Sequence, residues 1–264
     1  MKKIILLSLC FVTALANAQS INLENGKTIK ITTHIVTTGE SPMGGESKSE
    51  MTTTNTIKII AVEDKMYKAT NTTTRMTMNG ETMGQPLKFD SEVKEDMDGQ
   101  MGQMLGSSIN KPMEVSIDKA DGKVTELAVE KAEGTMGDMM GAESNSTESA
   151  FFVIPAGKKV GDKWTLTTEG GGIKIIKNYE LQSVKDNFTT VAISSTNKGT
   201  TTKEANGMSM EMTMDGKANG TFIVDTKTGL VKQLSMDHET TGSMEMMGQS
   251  IPLNNKSKIT VTFE

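Results

Sequence analysis

The sequence predicts a mainly β protein: antiparallel meander sheets from two related halves, forming a half-barrel or a sandwich, with at most one or two short helices. Three observations carry this. Apolar and polar residues alternate at a period of two, as in Thr28-Ile29-Lys30-Ile31-Thr32 and Lys258-Ile259-Thr260-Val261-Thr262-Phe263, the pattern of strands with one buried and one wet face. Turn signatures separate these runs. One turn also occurs twice: Ile117-Asp118-Lys119-Ala120-Asp121-Gly122-Lys123-Val124-Thr125-Glu126-Leu127 shares the frame apolar-Asp-x-x-x-Gly-x-Val-x-x-Leu with Val224-Asp225-Thr226-Lys227-Thr228-Gly229-Leu230-Val231-Lys232-Gln233-Leu234.

The first segment reads as an export signal. Lys2 and Lys3 precede an apolar stretch from Ile4 to Leu15, too short to span a membrane, and Ala16-Asn17-Ala18 supplies a small-x-small cleavage site. Residues 1–18 are therefore set apart, and the exported chain is expected to begin at Gln19. The only cysteine, Cys10, falls within the signal. The exported chain then has no thiol for a disulfide, a nucleophile or a metal. Its destination is the periplasm or the exterior, and no membrane span is expected.

The remaining 26 basic and 33 acidic residues leave a charge of −7, which argues against nucleic acid as a partner. Arg75 is the sole arginine, so bidentate clamps on phosphate or carboxylate are nearly unavailable. Apolar residues make up 35% of the chain and aromatics 4%, which predicts thin cores of Val, Ile, Leu and Met.

The first β half is expected over 19–132. Within it Pro42-Met43-Gly44-Gly45, Asn79-Gly80 and Asp121-Gly122 read as hairpin corners. Helical periodicity is nearly absent; Met97 to Ser108 and Leu127 to Met140 are the best candidates, the former weakened by Gly99, Gly102 and Gly106. A Gly-, Ser-, Glu- and Met-rich stretch over 133–149 reads as a linker or mobile loop. The second β half, 150–264, opens on an apolar strand, Phe151-Phe152-Val153-Ile154, ending at Pro155, and its corners are read at Asp215-Gly216, Asn219-Gly220 and Thr228-Gly229.

Two further matches support duplication. Gly26 to Ile31 aligns with Gly161 to Leu166, and Ile59 to Met66 with Leu181 to Phe188, in the same order in both halves. Two copies are too few for a solenoid and suit two halves of one architecture.

The run Ile154-Pro155-Ala156-Gly157-Lys158-Lys159-Val160-Gly161-Asp162-Lys163-Trp164, followed by Gly220-Thr221-Phe222-Ile223-Val224-Asp225-Thr226-Lys227-Thr228-Gly229-Leu230-Val231, resembles an uncharacterised family of secreted bacterial proteins, a domain of unknown function. The resemblance implies no activity and brings no catalytic residues. The strand-rich, signal-bearing layout is more loosely similar to the half-barrel periplasmic lipoprotein carriers, and a shared layout does not fix function.

Catalytic chemistry finds little support. No Gly-x-Ser-x-Gly elbow precedes a helix. His34 and His238 both sit in alternating strand patterns, and without cysteine they would need carboxylates to complete a zinc site. Asp118 and Asp96 begin segments that lack the ligand spacing of a calcium loop. Carboxylate pairing for glycoside hydrolysis is not decided by spacing, though one Trp and two Tyr offer few platforms for a sugar. The expectation is a non-enzyme with no catalytic residues and no cofactor.

Methionine is the outlier, with 22 residues. In Met208-Ser209-Met210-Glu211-Met212-Thr213-Met214 every second residue is Met, which puts all four on one strand face; Met244 and Met246 repeat the pattern. Three readings compete: flexible core filler, an adaptable groove for an apolar ligand or an envelope protein, and Cu(I) or Ag(I) binding through thioethers. The expected ligand-binding set is Met208, Met210, Met212, Met214, Met244 and Met246. Met236 and His238, on one strand face, are the candidates for a mixed metal site.

Overall fold

The computed structural model describes residues 20–40, 45–82, 85–106, 108–127, 147–205, 208–246 and 249–264. The first half holds strands β1 (Thr28–Glu40), β2 (Glu46–Val62), β3 (Met66–Thr82) and β4 (Gln85–Asp90), helices α1 (Lys94–Asp98) and α2 (Gln100–Leu105), then β5 (Met113–Asp118) and β6 (Val124–Glu126). After a 3₁₀ turn at Glu148–Ala150 come β7 (Lys163–Gly170), β8 (Ile173–Lys185), β9 (Phe188–Ala205), β10 (Met208–Asp225), β11 (Val231–Met246) and β12 (Gln249–Phe263). All twelve join one sheet in the order β6-β5-β3-β2-β1-β12-β11-β10-β9-β8-β7, with β4 also pairing β3.

Every named strand pair is antiparallel, as the polar–apolar alternation predicted. The halves are joined where the first strand meets the last: Ile31 lies opposite Phe263 and Ile35 opposite Ile259. They form one sheet, open at β6 and β7.

One face of this sheet carries the core, and we call it the inner face. Ile29, Ile31, Ile57, Ile59, Ala69, Val115 and Ile117 of the first half cluster with Leu181, Val191, Val224, Val231, Leu234 and Val261 of the second. These positions lie towards the turns that carry the repeated motif. The two turns have one hydrogen-bond pattern. Asp118 Oδ1 accepts from the backbone N–H of Ala120 and Asp121, as Asp225 Oδ1 does from Lys227 and Thr228. The N–H of Gly122 and of Gly229 donates to the carbonyl of the corresponding Asp, at 3.0 and 2.9 Å. Both glycines have positive φ, 75° and 71°, where a Cβ is strained. Asp118 and Asp225 are thus turn residues that hold their own backbone.

The N-terminal segment ties the two turns together. Ile21 is buried; its N–H donates to Lys119 O (2.8 Å), and Asn22 N–H donates to Thr228 O (3.1 Å). The buried Tyr67 hydroxyl accepts from Leu23 N–H (3.0 Å) and donates to Ile21 O (2.9 Å). One short strap thereby satisfies backbone groups at the corners of both halves.

Several sequence expectations are corrected. Asn79-Gly80 lies within β3, and Asp215-Gly216 and Asn219-Gly220 lie within β10. Their glycines mark close approach between strands rather than corners: a Cβ on Gly80 would sit 2.5 Å from Lys48 O, and one on Gly216 would collide with the Asn197 side chain. A corner the sequence reading passed over is Gly171-Gly172, both at positive φ, joining β7 to β8. Phe151 to Ile154 is not a strand. It makes one bridge, Phe151 to Leu230, and buries Phe151 and Ile154 against the core. The helix expected from Met97 is broken at Gly99 into α1 and α2, with no side-chain cap at either start. The second helix candidate past Leu127, the signal segment 1–18 and the linker residues 133–146 lie outside the described residues. Thr147, at the end of the linker assignment, is buried and accepts from Asn71 Nδ2 at 2.9 Å.

Candidate functional site: the methionine-lined inner face

The inner face changes character along the strands. Register fixes which residues share it, because directly opposed residues in a sheet lie on one face. The row through Val261, Leu234, Phe222 and Val191 is buried core. The next row, Ile259, Met236, Gly220, Ile193 and Tyr179, closes the core. Beyond it come Ser257, His238, Ala218, Ser195 and Lys177, then a row containing Asn255, Thr240, Gly216 and Asn197. Past this polar belt the face turns apolar again. Leu253 opposes Gly242 and Ile251 opposes Met244, while Met244 opposes Met212 and Gly242 opposes Met214.

Met212, Met214, Met244, Ile251 and Leu253 are all half-buried. Their neighbours within the sheet cover their flanks, and no described element lies over them as the core lies over Leu234. Met210 is the register partner of Met246, and Met208 of Ala205. The sheet therefore brings the six expected methionines to adjacent positions on β10 and β11. Asn197 Nδ2 contacts Met214 Sδ at 3.9 Å, so the polar belt meets the Met rows directly.

The sequence reading missed that the first half does the same. Met51 opposes both Ile35 and Met78, and Met76 opposes Thr53. Ile35, Met51, Met76 and Met78 are half-buried too. A bulge between Thr54 and Asn55 shifts the register of β2 on β3. Even-numbered Met76 and Met78 thus share a face with odd-numbered Ile57 and Ala69, a relation that simple alternation hides. Among the described residues the buried core contains no methionine, so the core-filler reading does not account for these side chains.

Met236 packs against the core cluster, and His238 Nε2 lies 3.4 Å from Thr240 Oγ1. His34 is on the other face: its neighbour Thr33 points into the core, while His34 Nδ1 is 3.1 Å from Thr52 Oγ1 and Nε2 is 3.7 Å from Glu50. The two histidines cannot converge on one ion. Among the described residues no group of three or more His, Asp or Glu is placed to hold a metal.

Where core and belt meet, Phe152 stacks on Phe222 at 5.2 Å and Trp164 on Tyr179 at 5.4 Å. Burial pushes the Tyr179 phenol up to about 12 by penalising the phenolate. A depression of about 560 Å³ lies near this cluster but is lined mainly from the outer face, by Lys163, Thr165, Asn178, Glu180, Ser194 and Asn219. It is open, mixes these polar side chains with Trp164, Tyr179 and Ile193, and has no methionine in its lining.

Comparison with known proteins adds fold but no chemistry. No curated protein matches the chain. In fold it is similar to lipovitellin, with a TM-score of 0.52 at 10% identity over 92% of this chain and 25% of that one, so it spans about a quarter of lipovitellin's length. An outer membrane channel from Pseudomonas putida F1 (TM-score 0.24, 7% identity, 93% of this chain and 98% of that one) and a Bacteroides fragilis protein with a YmcC-like fold (0.20, 8%, 92% and 97%) align only distantly. Residues 130–231, which contain both the Ile154–Trp164 run and the Gly220–Val231 hairpin, match a family of unknown function, DUF6263.

Proposed function

We propose that this chain is an exported, non-enzymatic carrier that holds an apolar ligand, or an apolar segment of an envelope protein, on the Met rows of its inner face. The observation that carries the reading is the placement of half-buried Met212, Met214, Met244, Ile251 and Leu253 on the same face as the core, separated from it by a polar belt. A face that continues a core, with no described element packed over it, leaves apolar area for another molecule. Unbranched thioether side chains suit such a role, because they repack around ligands of different shape. The fold likeness to lipovitellin, in a structure concerned with lipid–protein interactions, supports the same class of ligand. The signal-like first 18 residues support export.

Mass spectrometry of the natively purified protein, with titration by a fluorescent fatty-acid analogue, tests this. Bound lipid or saturable uptake is expected, and Met212→Glu should weaken uptake about tenfold or more, since a charge in the apolar row must be desolvated. Failure to bind lipid or probe defeats the reading. Met212→Leu separates it from thioether chemistry: apolar binding should survive that change, whereas Cu(I) affinity carried by the sulfur would not.

A further inference from the structure

The two ends of the sheet differ in a way the ligand reading does not use. β6 is three residues long, a short edge of the kind that resists pairing with other chains. β7, Lys163–Gly170, is eight residues long, pairs only with β8, and is exposed along nearly its whole length. It has no proline or bulge, and its inner-face positions Trp164, Leu166, Thr168 and Gly170 carry no charge. Its two charges, Lys163 and Glu169, lie on the outer face near its ends, so the inner side of this edge lacks the inward-pointing charge that blocks pairing.

The backbone phase of the edge is set by observed bonds. Leu181 N–H donates to Asp162 O, so even-numbered positions address β8. Lys163 O points away from β8 and accepts from Lys158 Nζ at 3.2 Å. Lys163, Thr165, Thr167 and Glu169 therefore present their N–H and C=O groups to the open side. Two copies can pair antiparallel only where these odd positions oppose one another. The fullest such register places Lys163 opposite Glu169, Trp164 opposite Thr168, Thr165 opposite Thr167 and Leu166 opposite itself.

We infer that β7 is a homodimerisation edge, pairing antiparallel with β7 of a second copy in this register. The strand is self-complementary there. On the outer face Lys163, which pairs with Glu180 of β8 at 3.3 Å within the chain, gains Glu169 of the other copy as a second carboxylate, and two Leu166 side chains, each 51% exposed in the single chain, meet on the inner face. Lys158 swings off the Lys163 carbonyl, which then accepts from the Glu169 N–H of the other copy. The inner faces of the two sheets become continuous across the junction, and the inference holds whether or not the Met rows bind a ligand.

Sedimentation equilibrium of the exported chain at about 100 μM, where even a modest interface is populated, should give twice the chain mass. Thr167→Pro removes a donor that faces only the open side, which an edge strand tolerates; its circular dichroism should be unchanged and its mass halved. Lys163→Glu and Glu169→Lys each place like charges opposite one another and should weaken association about tenfold. An equimolar mixture of these two variants restores both ion pairs and should return the dimer. A wild-type monomer overturns the inference, as does a dimer indifferent to Thr167→Pro, or a mixture no tighter than its components.

Discussion

The two ends of the inner face are built from the same strands and differ in what covers them. At the turn end, Ile31, Ile59, Leu181 and Val224 are fully buried beneath the Ile21 strap and the Phe151–Ile154 segment. At the far end Met212, Met244 and Ile251 have the same orientation and comparable apolarity but stay half-buried. Apolar alternation commits a face to avoid water; it does not supply the partner. The difference teaches that the buried packing of these long strands is concentrated at one end.

The largest effect should come from cutting into the covered end. Leu181→Ala removes a fully buried side chain and is expected to cost about 2–5 kcal/mol, read as a lower urea midpoint. Met244→Ala, on the same face at the uncovered end, should cost under about 1 kcal/mol because its site is already partly wet. Equal losses would erase the distinction between the ends.

A smaller effect is expected at the strap. Gly229→Ala places a Cβ 2.6 Å from Ile21 Cδ1 at a φ of 71°, and a strain of about 1–3 kcal/mol follows. Asp225→Ala leaves the N–H groups of Lys227 and Thr228 without their acceptor, for about 1–2 kcal/mol. Asp118→Ala should cost a similar amount, since the two turns share one bond pattern; a large asymmetry would mean that one half depends on its corner more than the other.

Tyr179 sharpens the boundary between the ends through pH. Its phenol is raised from 10.0 to about 12 by burial, so the unfolded chain loses this proton first. The stabilisation is whole below pH 10 and is lost as pH rises from 10 to 12. Wild-type stability should fall across that window, and Tyr179→Phe should remove this component of the slope in urea titrations at stepped pH.

The smallest effect on stability should accompany the largest on binding. Met212→Glu is expected to shift the urea midpoint little, within about 0.5 kcal/mol, as for a substitution outside the core, while uptake of an apolar probe falls. A variant that loses stability and binding together would place Met212 in the core after all.

Much of this was legible in the chain. Local chemistry specified the period-two strands, the Asp-x-x-x-Gly corners and the adjacency of Met212 to Met214, because side-chain alternation and turn geometry act over a few residues. Asn79-Gly80 and Asp215-Gly216 misled for the same reason: a dipeptide suited to a corner also suits a strand crossed closely by its neighbour. The first-half methionines were hidden by the bulge that leaves Thr74 of β3 without an opposite residue on β2, a one-residue shift that is a property of two strands together.

The sequence by itself determined that this is an antiparallel β protein, cornered twice by one motif and striped with methionine. Only the tertiary structure decided that β1 pairs with β12 to make one sheet, that Ile21 locks both corners, and that the Met stripe lies beyond the core. Those facts rest on contacts between residues as distant as Ile31 and Phe263, and such register is set by the sheet as a whole, where a single slip would turn every apolar side chain to the other face.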